Sequence, residues 1–418
     1  MAEKILLEGQ KYLYQPYRWV MMILIGLVQL VAGGCIVQVA ALGSVIIKAL
    51  GLTTAQFGSV VVVSFLAGAI FGIPCGALAD RYGSKTIIGV GLIIGAIGGI
   101  CRIYTNTYAT LFLTMFLIGL IIAALNAVIA KVLALWFHPV QMNIVMSVYV
   151  ATATLGAALA LFTTPLILSS GGTIQTIYTY GAMAITIVTV LWLLFAKEKP
   201  VGSPDIKREP VTKYISEVIM NKQLWISSTI MFLLMGALKS TSTFLIVGLT
   251  EVKGIDMLTA GAWGTLSSVL CLIGIMIVPA FIEKIGWMKG GYITVTIIVA
   301  VTIAFGWSMP YSTGSMAIVM VGYTLIGAGI PIHKQYPALL PGIKSEAVGT
   351  AGGIQSTLQN LGAYLLPSYI LGTIAGPNIS MVFYGIAVLL IISAILTLFL
   401  PEVGWRANKL INRNKTID

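Results

Sequence analysis

Lys239 stands in the middle of a long apolar run, Leu233-Leu234-Met235-Gly236-Ala237-Leu238-Lys239-Ser240-Thr241. A charge held at mid-bilayer costs at least about 2.5–3.5 kcal/mol even on a lenient scale, so such a group is a functional candidate by default. The 13 Asp and Glu residues fall in loops, tails and helix ends, and none is central in an apolar run. The partner that suits Lys239 is therefore an anionic ligand; backbone carbonyls and the neighbouring hydroxyls are the alternative. Lys131 and Lys334 form a second candidate, each low in its own apolar run. Two ammonium groups brought together repel, and an anion between them relieves that repulsion. Both also lie close enough to loops to snorkel out. His333 precedes Lys334, and its side chain titrates near neutral pH in water. At 100° per residue Tyr323 shares a helix face with Gly327 and Lys334.

Lys131 and Lys334 correspond through an internal repeat. The segment Gly76-Ala77-Leu78-Ala79-Asp80-Arg81-Tyr82-Gly83-Ser84-Lys85 returns 203 residues later as Pro279-Ala280-Phe281-Ile282-Glu283-Lys284-Ile285-Gly286-Trp287-Met288. Acid falls on acid (Asp80, Glu283), base on base (Arg81, Lys284) and glycine on glycine (Gly83, Gly286). Only the basic Lys85 is lost, to Met288. Each copy joins the end of one apolar run to the start of the next, and the same offset carries Lys131 onto Lys334.

The elements that hold these residues must cross a membrane. The chain is 58% hydrophobic and 9% charged, against roughly 25% charged for a soluble domain, which leaves too little polar surface to dissolve it. A span takes about 20 apolar residues. Twelve such spans are expected, near 19–43, 56–79, 86–105, 108–135, 142–168, 174–196, 223–249, 259–282, 290–309, 315–336, 346–371 and 378–400. Runs this long are helices, because barrel strands need only about 10 residues. The expected fold is thus an all-α membrane protein with two pseudo-symmetric six-helix bundles. Residues 1–196 form the first, 223–418 the second with its tail, and the polar segment 197–222 the linker.

With the N-terminus placed in the cytoplasm, every Lys and Arg except Lys48, Arg102, Lys239 and Lys253 falls on the cytoplasmic side. The net charge of +11 thereby reports topology, with both termini cytoplasmic, and gives no reason to expect a nucleic-acid partner. The first run is too long for a signal h-region and is expected to stay as a helix. Arg102 and Lys48 belong to the outer ends of spans, as edge-snorkelling residues or guides for anions. Cys35, Cys75, Cys101 and Cys271 lack metal-ligand spacing and read as small packing residues. No cofactor or metal is expected. No Walker motif or nucleophile constellation points to an enzyme.

Twelve spans in two halves, a central loop and Gly76-x-Leu78-x-Asp80-Arg81-x-Gly83-x-Lys85 between spans 2 and 3 resemble the major facilitator superfamily along essentially the whole chain. The resemblance implies a secondary transporter of the cell membrane that works by alternating access as a monomer. It makes Asp80 a conformational latch, supported by Arg81, Gly83 and Lys85 and echoed by Glu283 and Lys284, with the first-half latch the stronger. It also implies that spans 1, 4, 7 and 10 line a central cavity, which places Lys131, Lys334, Lys239, Tyr323, His333, Asn126 and Gln38 among the substrate-binding candidates. The segment Asn126…Lys131…Trp136-Phe137-His138-Pro139 is similar to one in the small-anion carriers of this superfamily, the cyanate, nitrate/nitrite and oxalate–formate types. Gly349–Gly353 only loosely approximates the nitrate-porter glycine signature, and Gln141 and Asn143 replace a basic residue.

The expectation is transport of a small monocarboxylate, dicarboxylate or inorganic anion, with a proton or a counter-anion as coupling partner. Exchange or facilitated diffusion needs no proton carrier. Proton symport would fall on a lysine, His333 or the substrate's own acid form. The alternative is efflux of hydrophobic or weakly anionic compounds, suggested by spans rich in aromatic residues and Met.

Overall fold

A computed structural model describes residues 15–137, 141–200, 218–334, 336–340, 343 and 347–402. Most of the expected linker, the tail after residue 402, Pro139 and the side chain of Asp80 lie outside the described residues. Helix follows helix: α1 (Tyr17–Ala41), α2 (Gly43–Leu50), α3 (Thr54–Tyr82), α4 (Ser84–Arg102), α5 (Tyr108–Trp136), α6 (Met142–Ser169) and α7 (Ile174–Phe195). Then come α8 (Lys222–Val247), α9 (Met257–Ile285), α10 (Met288–Ser308), α11 (Thr313–Ile326), α12 (Gly329–Lys334) and α13 (Tyr336–Leu339). The described chain closes with α14 (Val348–Leu365), α15 (Gly372–Ala375) and α16 (Ser380–Thr397).

Eleven helices among the described residues are long and apolar enough to cross a membrane. The expected eleventh span, 346–371, is not one of them. There α14 carries Gln355, Ser356, Thr357, Gln359 and Asn360 in 18 residues and then passes into a π-helix, Leu366–Leu371. Pro367 lacks the N–H that an α-helical register would use, so the ladder loosens there.

Polar side chains set the helix starts, because the first N–H groups have no partner inside their own helix. Thr107 with Thr110, Thr173 with Thr176 and Ser312 with Ser315 form reciprocal capping boxes for α5, α7 and α11. Asn221 caps α8 and Asp256 caps α9. A cation does the same for carbonyls at a helix end, where the dipole favours it. Lys253 Nζ donates to Trp307 O and Met309 O at 2.7 Å each, closing α10.

The chain divides into two compact units, Met1–Val39 with Val63–Arg208, and Ala40–Val62 with Glu209–Asp418. The segment 40–62, expected to belong with the first half, thus groups with the second. In the first unit α4 packs along both α5 and α7. The α1–α6 crossing brings backbones into contact: a Cβ on Gly156 would overlap the Leu30 carbonyl, so only glycine fits there.

In the second unit α14 and α16 flank α8, while α10 packs on α11 and α16. The loop expected around Lys48 is the helix α2, which lies against α8. Lys48 forms an ion pair with Glu251 at 2.9 Å. The lysine side chain is 71% exposed, so the pair contributes at most about 1 kcal/mol.

Candidate functional site

Lys239 lies midway along α8 and is half-buried in the most enclosed of the spanning helices. The hydroxyls around it are engaged along their own helix. Ser240 Oγ donates to Gly236 O at 2.7 Å, Thr241 Oγ1 to Ala237 O, and Ser242 Oγ to Leu238 O at 3.0 Å. Such back-bonding satisfies the donors and leaves oxygen lone pairs available beside the ammonium group. Ser242, one turn beyond Lys239, is exposed. The pair forms an accessible polar strip on an otherwise enclosed helix.

Tyr323 departs from its expected place. It is buried, and its hydroxyl donates to Thr241 O at 2.8 Å. It therefore clamps α11 to α8 two residues from Lys239 rather than lining a cavity. His333 is also fully buried, so it does not share an open face with Lys334, which is exposed. The 100° turn per residue explains this: adjacent residues on a helix point to different sides.

On α14, Gln355 is buried and donates to Ser227 Oγ and His333 O, both at 3.0 Å. It joins helices. Ser356 is exposed, while Gln359 and Asn360 are half-buried. A Cβ on Gly352 or Gly353 would meet nothing within 4 Å. Polar and glycine positions with open space beside them suit a wet face better than a lipid-facing one.

In the first unit Asn126 is exposed on α5 and accepts a 2.6 Å hydrogen bond from the Tyr149 hydroxyl on α6. Ala130 and Ala134, four and eight residues on, are exposed too, and Lys131 is half-buried beside them. An accessible strip of small and polar residues on a helix otherwise well buried is the wet face of α5.

Gln38 is tied to a residue that sequence reasoning placed at the membrane edge. Arg102 does not snorkel; it is fully buried. Its Nη1 donates to Cys35 O at 2.6 Å and its Nη2 to Gln38 Oε1 at 2.7 Å. The guanidinium also lies 4.4 Å from the Tyr178 ring centroid. No carboxylate pairs with it among the described residues. Gln38, Cys35 and Gly181 border a cleft of about 170 Å³ between α1, α6 and α7, with Leu159 and Tyr180 at its exposed rim.

The repeated turns hold a pair of residues absent from the expected set. Gly83 turns the chain at φ +92°, and the Glu198 carboxylate caps the α4 that follows. Ser84 N donates to Glu198 Oε1 and Lys85 N to Glu198 Oε2, each at 2.7 Å. The second unit repeats this. Gly286 turns at φ +82°, and the Glu402 carboxylate accepts from Met288 N at 2.9 Å and from Lys289 N at 3.1 and 3.2 Å. Arg81, Glu283 and Lys284 are exposed, with the Arg81 guanidinium 5.2 Å from the Tyr82 ring centroid. The motif's offset of 203 carries Glu198 onto Pro401, one residue short of Glu402, so the repeat read in strict register does not pair the two.

Two titrating groups outside the spans are perturbed. The side-chain hydrogen bond to Thr259 holds the Asp256 carboxyl below its usual value, and desolvation lowers the Lys253 ammonium. Among the described residues no three His, Cys, Asp or Glu side chains converge as metal ligands would.

Long apolar helices in two units, with paired polar turns between consecutive spans and charged or amide groups facing open space within them, define a polytopic membrane carrier. The chain belongs to the major facilitator superfamily, whose family description matches residues 21–367. Its fold is similar to that of a bacterial homologue of the human lysosomal transporter Spinster in an inward-facing, unoccupied conformation. That match has a TM-score of 0.72 at 16% identity and covers 92% of this chain and 95% of the other. It is similar also to the nucleoside transporter NupG, with a TM-score of 0.73 at 15% identity over 92% of this chain and 98% of the other. At such identities the likeness shows the fold alone. No curated protein matches the chain.

Proposed function

We propose that the chain is a secondary transporter of a small anion, a monocarboxylate, dicarboxylate or inorganic anion, working by alternating access across the cell membrane with both termini in the cytoplasm. The observation that carries this reading is Lys239, a cation midway along a spanning helix at an accessible strip with Ser242. Acidic residues reach the spans only near their ends, as Glu251 and Glu283 do. A carrier of cations would place a carboxylate where this chain places an ammonium group. Lys131 with Asn126 on α5, and Lys334 beyond α11, supply further positive charge and hydrogen-bonding capacity on the same reading. Glu198 and Glu402 stiffen the two turns that flank Asp80 and Glu283, the latch of the alternating motion.

The test is uptake into proteoliposomes of purified protein across a panel of labelled cyanate, nitrate, formate and oxalate. Saturable uptake of at least one supports the reading. The cleft beside Gln38 favours a second reading, efflux of hydrophobic or weakly anionic compounds, because exposed Leu159 and Tyr180 stand at its rim. Binding of amphiphiles with no uptake of any small anion would reverse the order.

A further inference from the structure

Arg102 is fully buried, and its charge has no counter-ion among the described residues. A guanidinium does not deprotonate in proteins, so the charge stays. Its contacts are neutral: the Cys35 and Gln38 oxygens, the Met115 sulfur at 3.5 Å and the Tyr178 ring. Its Nε has no hydrogen-bond partner among the described residues. A cation held in this way is costly unless an anion joins it. Gln38 is the weak point of the enclosure. It is half-buried, its Oε1 accepts from Nη2, and its own amide nitrogen reaches Ile177 O only at 3.5 Å. A ligand oxygen can take the place of that Oε1 while the guanidinium stays where it is. Gly181 keeps the spot open, since a Cβ there would stand 2.8 Å from Gln38 Oε1 and 2.9 Å from Arg102 Nη2.

Cys35, Gln38 and Gly181, the residues at the guanidinium, also border the cleft between α1, α6 and α7. Along α1 the cleft runs from Leu30 to Gln38, about 12 Å at 1.5 Å per residue. The hydrocarbon of one leaflet is about 15 Å deep. A volume of about 170 Å³ over that length makes a narrow slot. Both rims belong to exposed apolar stripes at helical spacing, Leu155, Leu159 and Phe162 on α6 and Tyr180, Met183 and Ile187 on α7. Such a stripe on a spanning helix faces lipid, so the slot opens sideways into the bilayer. Its polar end lies at helix ends, because Gln38 stands three residues before Ala41 closes α1 and Arg102 is the last residue of α4. Its apolar end, at Leu30, is midway along α1.

We propose that this cleft binds a long-chain carboxylate, a fatty acid entering from the surrounding bilayer, with its chain along α1 and its carboxylate on Arg102 in place of the Gln38 amide oxygen. The inference stands apart from the small-anion reading. It gives the cleft behind the second reading a ligand class without requiring that the ligand be carried. The slot has the width of one chain, its polar and apolar ends match those of the ligand, and a single negative charge matches the guanidinium. A carboxylate accepts charge-assisted hydrogen bonds from a guanidinium, which are stronger than the bond to a neutral amide oxygen that it replaces. The displaced Gln38 amide then turns its N–H towards the ligand. Taking the carboxylate out of water is costly, and pairing with a cation that is already buried offsets that cost.

Hexadecanoic acid bearing a mid-chain diazirine, photolysed with the protein in phosphatidylcholine nanodiscs, reads the site directly. Label is expected on cleft residues such as Leu30 and Ala160. Unlabelled hexadecanoic acid should compete about tenfold or more better than its methyl ester, which keeps the chain and loses the charge. Equal competition, or label confined to Met183 and Ile187 on the lipid-facing stripe, would overturn the proposal. In folded Arg102→Gln the preference for acid over ester should vanish, while Arg102→Lys should keep part of it. A folded Arg102→Gln protein with the full preference would count against the site. Ala160→Phe fills the slot and leaves the arginine in place, so it serves where the Arg102 variants do not fold. It should remove the label from Leu30, and undiminished label there would refute the assignment. Phosphatidylcholine carrying the same diazirine chain is the second probe. Label from it on Leu30 that excess hexadecanoic acid does not displace would make the occupant a phospholipid and overturn the proposal. These readings need no flux, so absence of anion uptake counts against the transport reading alone.

Discussion

The Glu198 carboxylate takes the backbone N–H of Ser84 at 2.7 Å, closing a turn 114 residues upstream in the chain. Glu402 takes the N–H of Met288 over the same separation of 114 residues. The second unit thus builds its turn with the chemistry of the first, although Met288 replaces the basic Lys85 in the aligned motif. What the two turns share is the backbone of a helix start and a carboxylate from after the final helix of the unit. A carboxylate at that end of a helix also meets the positive pole of the dipole.

Glu198→Ala and Glu402→Ala should each lower stability by about 0.5–2 kcal/mol, the usual worth of a helix cap. Thermal unfolding in detergent reads this directly. Gly83→Ala should cost more than a cap alone, because its backbone stands at φ +92° and a new Cβ would lie 2.8 Å from Glu198 Oε2. Combining Gly83→Ala with Glu198→Ala should relieve the clash but leave the backbone strain. A double variant that recovers fully would contradict this division.

The buried guanidinium of Arg102 should be a large contributor to the first unit. Arg102→Met leaves Cys35 O and Gln38 Oε1 without their donor, at about 1–3 kcal/mol for each buried group. Arg102→Lys can reach one acceptor and should recover part of the loss. Denaturation midpoints for the two variants give the comparison, and an Arg102→Met protein as stable as the parent would refute the assignment.

Much of the architecture was legible because bilayer physics narrows the choices. Apolar runs had to be helices, and the echo of Asp80-Arg81-x-Gly83 in Glu283-Lys284-x-Gly286 marked where each half passes from its second span to its third. The eleventh expected span shows the limit of that reading: Gln355, Gln359 and Asn360 make α14 polar, and composition cannot tell a wet face from a buried junction. The positions of Arg102, Tyr323 and His333 were not legible. Each depends on where a helix rotates about its own axis, and a one-residue change of 100° moves a side chain from an open face into a core. Glu198 and Glu402 were hidden differently. They lie outside the repeated motif and act on backbone N–H groups, which leave no side-chain signature to align.

Asp256 gives a pH dependence whose sign is determined. Its carboxyl lies below the ordinary 3.8, chiefly through its hydrogen bond to Thr259. A depressed carboxylate supports the folded state above its ordinary value, and that support fades as pH falls through the lower folded value. Protection of the Thr259 amide against hydrogen exchange should therefore drop on acidification below 3.8 in the parent. In Asp256→Asn the cap persists without a titrating group, and protection should be flat with pH.

On the proposed reading Lys239 meets the carried anion, and binding of the panel anions to purified protein and to Lys239→Ala under identical conditions tests that contact without the complications of flux. The anion bound by the parent should lose affinity about tenfold or more in Lys239→Ala, while Lys239→Arg keeps a substantial part because the charge remains. Equal affinity of a folded Lys239→Ala protein for that anion would contradict the assignment.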